Sequence, residues 1–266
     1  MIDIIQGVGI FIIFLIIFYL TYDTNINRLN YVNNKKKRKM SFLSYNVKRL
    51  TFQNKSINFI NWDKSDVICL QEYYNDLYGK KKFNLHKSVN FNIVLPPNYR
   101  FLKDSGLVIL SKFPIIYIDY VKFELSCGNL SFINRGFLVV KIRKLYIINT
   151  YLCGDVASQL EQIYNYISLF LKDKNIIIMG SFNKNIFSIK GFPEFKKIYS
   201  KVPTMWQNND IYPIKTTNKL MEDMIPRWED GALIKTDRHH IKNIMVEDMD
   251  INSIHLGISF ELEKMK

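Results

Sequence analysis

Short apolar runs separated by polar turns dominate the pattern of this chain, and most of them are too short to be helices. The runs are rich in β-branched and aromatic residues, so strands are predicted at residues 41–47, 66–70, 105–111, 136–142, 145–151, 175–179, 241–246 and 256–262. The run at 66–70 is apolar at consecutive positions, which is typical of a strand buried on both faces. Pro114 is predicted to end the third of these strands, because proline has no N–H to donate to a ladder.

One longer segment has helical spacing. Between residues 157 and 171 the apolar side chains fall on one helical face, and they are Leu160, Ile163, Tyr164, Ile167 and Phe170. A shorter amphipathic helix is predicted around 57–62, whereas 184–235 has little pattern and is predicted to carry long loops. Many short strands with few helices between them predict two packed sheets with helices outside.

The first residues have a different pattern. Residues 4–22 are apolar apart from Gln6 and two glycines. As a helix this stretch would span about 28 Å, close to the hydrocarbon thickness of a bilayer. The start has no positive charge and 21–24 offers no small-residue cleavage site, which argues against a cleaved signal peptide. A transmembrane anchor is therefore predicted at 1–22, then a polar and polybasic linker at 23–39 and one domain over 40–266.

A basic run flanks the apolar stretch on its C-terminal side, and it consists of Lys35, Lys36, Lys37, Arg38 and Lys39. Cytoplasmic flanks of membrane helices are enriched in Lys and Arg, so a single-pass protein with a cytosolic domain is predicted. The run lies within reach of anionic lipid headgroups and is predicted to contact them, although a solvated linker or a stop-transfer flank fits it as well.

Composition adds little beyond this. The chain is 48% hydrophobic and 14% aromatic, which excludes disorder over most of its length. The net charge is +13, a value that suits a phosphate-rich partner such as nucleic acid or anionic lipid, and that an AT-rich genome would also produce. The three cysteines (Cys69, Cys127 and Cys153) cannot all pair, which favours a reducing compartment.

Polar residues stand at or near the ends of several predicted strands, where they form a series of short motifs. In the first half the motifs are Ser44-Tyr45-Asn46-Val47, Asp66 to Glu72 and Ser105 to Pro114. In the second half they are Asn149-Thr150-Tyr151-Leu152, Ser158-Gln159-Leu160, Gly180-Ser181-Phe182-Asn183 and Ser253-Ile254-His255. From about residue 40 to 262, this series resembles the endonuclease/exonuclease/phosphatase (DNase I-like) superfamily. The resemblance implies a four-layered α/β sandwich with a magnesium-dependent phosphoric-ester hydrolase site at one edge.

The resemblance also implies roles for four residues. Glu72 matches the glutamate that holds magnesium, and a carboxylate suits that ion. Asn46 and Asn183 match asparagines that position metal, water or phosphate, and His255 matches the catalytic histidine. We expect these four side chains to meet in one cleft.

Three other positions depart from the family pattern. Ser181 stands where the pattern has the aspartate that orients water, Tyr151 where it has a histidine, and Ile254 where it has a metal-binding aspartate. Serine is a very poor base near neutral pH, and isoleucine offers no oxygen to a cation. Lys242 is interpreted as standing where an aspartate would support the last histidine, with Asp237, Asp248 or Asp250 as substitutes. We expect magnesium binding to be weak or absent.

Two functions remain open at this point. The first is a non-hydrolytic module that binds a phosphate-containing ligand or acts as a scaffold at a membrane. The second is an active magnesium-dependent phosphodiesterase or phosphatase with a rearranged site, in which lost groups are replaced by Asp155, Asp237, Asp250 or His239-His240. The substitutions favour the first. A tethered cleft samples lipid headgroups at high effective concentration, so a lipid ligand is favoured over nucleic acid.

Overall fold

The fold was analysed in a computed structural model, which describes residues 22–23, 38–47, 64–73, 91–96, 98–99, 105–124, 135–207, 225–247 and 255–265. The strands of the first half are β1 (Tyr22–Asp23), β2 (Lys39–Asn46), β3 (Val67–Gln71), β4 (Asn92–Val94), β5 (Asn98–Tyr99), β6 (Val108–Ser111), β7 (Ile115–Lys122), β8 (Gly136–Ile142) and β9 (Leu145–Tyr151). Helix α1 (Val156–Phe170) follows, and then β10 (Asn175–Ser181), a 3₁₀ turn at Ile186–Ser188, β11 (Lys196–Ile198), β12 (Met205–Gln207), β13 (Ile225–Arg227), β14 (Asp230–Lys235), β15 (His239–Glu247) and β16 (Gly257–Lys264).

Twelve of these strands form two six-stranded sheets. The first has the order β15-β16-β2-β3-β6-β4 and the second has the order β11-β14-β10-β9-β8-β7. Both sheets are mixed, since β2 runs parallel to β3, β9 runs parallel to β10, and the other neighbours are antiparallel. The predicted pair of packed mixed sheets is thereby confirmed.

The main core lies between the two sheets. Phe42, Val67 and Ile109 of the first sheet pack with Leu138 and Ile177 of the second, all at most 1% exposed. Alternate residues of the same strands are also buried on the outer faces, which explains the continuous apolar runs in the sequence. These two sheets therefore hold their strand ends in fixed register at the edge where the polar motifs lie.

Helix α1 covers the outer face of the second sheet. Asp155 caps its N-terminus by accepting a hydrogen bond from the Ser158 backbone N–H at 3.1 Å. Ile163 and Ile167 are buried as predicted, but Tyr164 and Phe170 are 40% and 65% exposed. The buried face of the helix is therefore narrower than the predicted apolar face, because the sheet contacts only one stripe of residues along the helix.

Two regions differ from the predicted elements. Pro114 does end the β6 ladder, but the chain turns there into the second sheet and immediately forms β7, which was not predicted. The unpatterned segment 184–235 contains β11 and β14, both in the second sheet. β11 has only one apolar residue, and the apolar run of β14 is only three residues long, so neither strand shows a clear period.

The predicted elements nearest the N-terminus lie mostly outside the described residues. These are the anchor up to residue 21 and the short helix at 57–62. Within the ranges that the structure describes, α1 is the longest helix, and none has the length and apolar character needed to cross a bilayer.

Candidate active site

Three side chains form a row across the second sheet where its central strands end. Ser181 on β10 lies in register with Asp230 on β14 and with Tyr151 on β9. Laterally paired residues share a face and stand about 5 Å apart, so these side chains are neighbours. Gly180 allows the close approach of β10 to β9, because a Cβ there would lie 1.9 Å from the carbonyl oxygen of Thr150.

The first sheet contributes a second pair. Asn46 is the last residue of β2 and Glu72 follows β3 directly, and the Asn46 Nδ2 donates a hydrogen bond to Glu72 Oε1 at 3.1 Å. Both side chains are buried. Glu72 has a backbone φ of 54°, in the left-handed region that costs a residue with a Cβ about 1 kcal/mol. The fold therefore holds the carboxylate here against a local backbone preference.

His255 is held by a buried aspartate. Its Nδ1 lies 2.7 Å from Asp230 Oδ2, and the two side chains are 4% and 1% exposed. Burial alone would lower the pKa of His255, but the charge and hydrogen bond of Asp230, with smaller contributions from Glu72 and Glu229, raise that pKa instead. The pair therefore favours an imidazolium, which can stabilise an anionic oxygen.

Tyr151 connects the two sheets at this edge. Burial raises the pKa of its phenol, and the negative charge of Glu72 raises it further, against smaller opposing effects of Asn183 and Arg135. A neutral phenol beside a carboxylate serves as a hydrogen-bond donor. Tyr151 thus replaces the expected imidazole with a group that stays uncharged at neutral pH.

Asn183 completes the set. It has a φ of 46°, and its Nδ2 donates a hydrogen bond to the Leu152 carbonyl oxygen at 2.6 Å, beside Tyr151. Asn46 contacts Glu72, Glu72 acts on both His255 and Tyr151, and Asn183 acts on Tyr151. The structure therefore brings together the four residues that the sequence singled out, although they are up to 209 positions apart in the chain. Ile254 lies outside the described residues.

The interpretation of Lys242 was wrong. The aspartate that supports His255 is Asp230 on β14, a strand that the sequence pattern did not reveal. Lys242 lies on the exposed strand β15 and is bonded to Glu263. Of the proposed substitutes, Asp237 follows the far end of β14 and is exposed.

The other proposed substitutes are also accounted for. His239 and His240 pair with the last residues of β16, at the end opposite to His255. Asp155 caps helix α1. Asp248 and Asp250 lie outside the described residues.

Arg135 is a further member of the site that sequence reasoning missed. It directly precedes β8, is 5% exposed, and its guanidinium carbon lies 4.3 Å from the centre of the Tyr151 ring. The only signal in the sequence was a basic residue at the start of a buried strand. Four buried atoms at the site edge have no hydrogen-bond partner among the described residues, and they are Ser181 Oγ, Asp230 Oδ1, Arg135 Nε and Arg135 Nη1.

The donor set fits a resident magnesium ion poorly. Magnesium takes oxygen ligands and is bound through one or two carboxylates together with water and substrate phosphate. Glu72 already accepts a hydrogen bond from Asn46, and the Asp230 carboxylate is engaged by His255. In the described part of the chain, no three His, Cys, Asp or Glu side chains are grouped as metal ligands.

The sequence is similar to known proteins over part of its length. Residues 26–189, more than half of the chain, match the profile of the Endonuclease/Exonuclease/phosphatase family. Sphingomyelinase C 2 of Leptospira interrogans is 32% identical over 131 residues, which are 42% of this chain and 20% of that protein. Sphingomyelinase C of Bacillus cereus is 28% identical over 153 residues, or 47% of this chain and 44% of that protein. The chain thus matches less than half the length of either relative.

Solved structures show the same fold. The humanized D. rerio TDP2 structure superimposes with a TM-score of 0.63, at 15% identity, over 86% of this chain and 100% of that one. At this level of identity the likeness concerns the architecture alone.

Proposed function

The chain belongs to the endonuclease/exonuclease/phosphatase family, and on that premise we propose that it is a membrane-tethered protein that binds a phosphate ester in its cleft without hydrolysing it at the rate of an active hydrolase. The observation that carries this proposal is the row of Tyr151, Ser181 and Asp230 across the second sheet. Its central position holds a hydroxyl where the family pattern has a carboxylate.

Hydrolysis of a phosphate ester needs a group that orients water and accepts its proton. Ser181 is fully buried, and its hydroxyl is a very weak base. The nearest carboxylate in the row, Asp230, is hydrogen-bonded to His255 and stabilises that imidazolium. Loss of one such group commonly lowers kcat by a factor of about 100 or more, so slow turnover is expected from this change alone.

The groups that bind a phosphate are retained. His255 supplies a cationic N–H, Asn46 and Asn183 supply amides, and Tyr151 supplies a neutral hydroxyl. Hydrogen bonds from charged donors to anionic oxygens are about twice as strong as those between neutral groups. The cleft therefore has hydrogen-bond donors for a phosphate ester, but it lacks part of the set of groups that hydrolysis requires.

A lipid is the ligand class that we propose. Both curated relatives are named as sphingomyelinases, and residues 4–22 have the length and hydropathy of a membrane anchor. A cleft tethered to a bilayer meets phosphate-containing headgroups at high effective concentration. A phosphodiester lipid such as sphingomyelin accordingly ranks above nucleic acid.

One observation favours a second function, that of an active magnesium-dependent phosphodiesterase. The pair of His255 and Asp230 is buried and hydrogen-bonded, and Glu72 is retained at the position that the family resemblance assigns to the metal-binding glutamate. This alternative requires a water-orienting group other than Ser181.

A direct assay separates the two functions. The full-length chain in detergent micelles is incubated with sphingomyelin, phosphoinositides, DNA and RNA, with and without magnesium. We expect turnover at background level, and we expect gain of activity when Ser181→Asp, Ile254→Asp and Tyr151→His are combined. Robust turnover by the unmodified chain that Glu72→Ala abolishes would establish the hydrolase instead.

The tether and its orientation need a separate test. We propose that residues 4–22 span a membrane and that the domain is cytosolic, on the ground of the basic run at 35–39. Cys153 is disulfide-bonded in the structure, a bond that is typical of oxidising compartments, so the structure contradicts the reducing compartment predicted from the cysteine count and counts against a cytosolic domain. The redox state of Cys153 in cells is therefore a second readout of orientation. Extraction of the full chain by carbonate would refute the tether. An oxidised Cys153 in cells, or a sugar at Asn129-Leu130-Ser131, would refute the cytosolic orientation.

A further inference from the structure

Arg135 is a buried cation for which the described residues provide no hydrogen-bonding partner at two of its nitrogens. Its Nε and Nη1 atoms make no hydrogen bond, although the residue is 5% exposed. The guanidinium contacts the Tyr151 ring, with its carbon 4.3 Å from the ring centre.

Such an arrangement is costly unless an anion completes it. Removal of a charge from water costs several kcal/mol, and stacking on an aromatic ring offsets about 1–2 kcal/mol of that. A guanidinium presents its N–H groups in a planar fork that matches two oxygens of one phosphate group. Because Nε and Nη1 have no hydrogen-bond partner among the described residues, both remain as donors for such a ligand.

The charge balance of the cleft also favours an anion. Positions 181 and 254 carry Ser and Ile, so the water-orienting carboxylate and a metal-binding carboxylate of the family pattern are both missing. Glu72 remains, and the Asp230 charge is balanced by His255. Arg135 therefore stands in a cleft whose negative charge is reduced, and a phosphate can approach the guanidinium without a metal ion between them.

We propose that the cleft binds the phosphate group of its ligand directly, with Arg135 as the anion-binding residue, and without a divalent cation. This inference rests on the proposed function and adds to it the mode of recognition. In the pattern that the family resemblance implies, a magnesium ion neutralises the phosphate, whereas here a side chain of the protein does so.

The test measures binding of inorganic phosphate to the full-length chain by titration calorimetry, in EDTA and in magnesium. We expect equal Kd values, within a factor of two, in both buffers. Arg135→Met should weaken binding at least tenfold, and Arg135→Lys, which keeps the charge but loses the fork, by a smaller factor. Arg238→Gln is the matched control, because Arg238 is an exposed arginine paired with Asp237 at the other end of the domain, and its Kd should not change.

The outcomes separate the inference from the proposed function. The inference is overturned if phosphate binding requires magnesium, or if both Arg135→Met and Arg135→Lys leave the Kd for phosphate unchanged. In either case the proposed function, a protein that binds phosphate, still stands. If neither inorganic phosphate nor phosphocholine binds in either buffer, both proposals are overturned. If Arg135→Met does not fold, as judged by circular dichroism, the comparison of Arg135→Lys with Arg238→Gln decides the question.

Discussion

Two buried polar clusters meet on β9, where Asn149 of one lies two residues before Tyr151 of the other, and they differ in how well their hydrogen bonds are satisfied. One is the interior lock, formed by Gln71, Asn149 and Ser44 between the sheets. The other is the cleft cluster, formed by Arg135, Tyr151, Ser181, Asp230 and His255 at the strand ends. The hydrogen bonds of the interior lock are those of a structural element, whereas unpaired buried groups such as those of the cleft cluster are typical of binding sites.

The interior lock is almost fully paired. Asn149 Nδ2 donates to the carbonyl oxygens of Leu70 and Val108, both at 2.9 Å, and its Oδ1 accepts from Gln71 Nε2 at 2.7 Å. Only Gln71 Oε1 has no partner among the described residues. A paired network of this kind fixes the relative position of two sheets.

The cleft cluster shows the opposite. Four of its buried atoms are unpaired in the described structure, and Glu72 and Asn183, which contact it, have positive φ values. Unpaired buried groups and strained backbone are rare and concentrate at functional sites. Incomplete hydrogen bonding therefore distinguishes the cleft cluster, with four unpaired buried atoms, from the interior lock, with one.

The largest effect is expected at the interior lock. Asn149→Leu leaves two carbonyl oxygens and the Gln71 amide without partners, and should lower the free energy of unfolding by about 3 kcal/mol. Urea unfolding of the full chain in detergent measures this. Asn165→Leu, at an exposed position of α1, is the control and should change stability by no more than about 0.5 kcal/mol. An equally small effect of Asn149→Leu would remove the contrast between the clusters.

The next effect concerns pH. The raised pKa of His255 means that its pair with Asp230 stabilises the fold fully below about pH 6.5 and less as pH rises through the folded-state pKa. Asp230→Asn removes the charge and should cost about 2 kcal/mol on the acid side.

In that variant burial dominates, so the pKa of His255 should fall below its ordinary value and the contribution of His255 to stability should rise with pH. NMR titration of the His255 ring, with the exposed His240 as internal control, measures the change. An unchanged His255 titration in the variant would contradict the assigned pair.

At Arg135 we expect a substitution that increases the stability of the protein instead of decreasing it. Arg135→Met removes a buried charge and keeps the packing volume over Tyr151, so stability without ligand should increase by about 1 kcal/mol. Thermal unfolding in phosphate-free buffer tests this. A loss of stability would show that Arg135 belongs with the interior lock and is a structural residue.

The smallest effect is a difference between two variants of Glu72. Glycine tolerates the φ of 54°, so Glu72→Gly should be more stable than Glu72→Ala by about 1 kcal/mol. Arg143, which also has a positive φ but lies in the turn between β8 and β9, provides the matched pair Arg143→Gly and Arg143→Ala. Equal stability of the two Glu72 variants would mean that the backbone at this site is not strained.

Much of this architecture could be predicted because its strands are buried on both faces and therefore leave continuous apolar runs. Asn46, Glu72 and Asn183 could be singled out because each stands at or after the end of such a run, and His255 because it directly precedes one. Asp230 could not, since its strand begins with charged residues and lies in a segment without a period, although Ala232, Leu233 and Ile234 were a short apolar signal. Arg135 was missed because burial of an arginine depends on tertiary contacts that no local pattern records.

The row across the second sheet has a consequence for how such a protein changes over time. Each of its residues comes from a different strand, and strand register is set by backbone pairing and by apolar neighbours. A substitution at one position therefore leaves the neighbouring positions in place. The side chain at one position of the row can therefore change while the strand pairing that places the other two is kept, so a scaffold of this kind can accumulate changes in its chemistry one residue at a time.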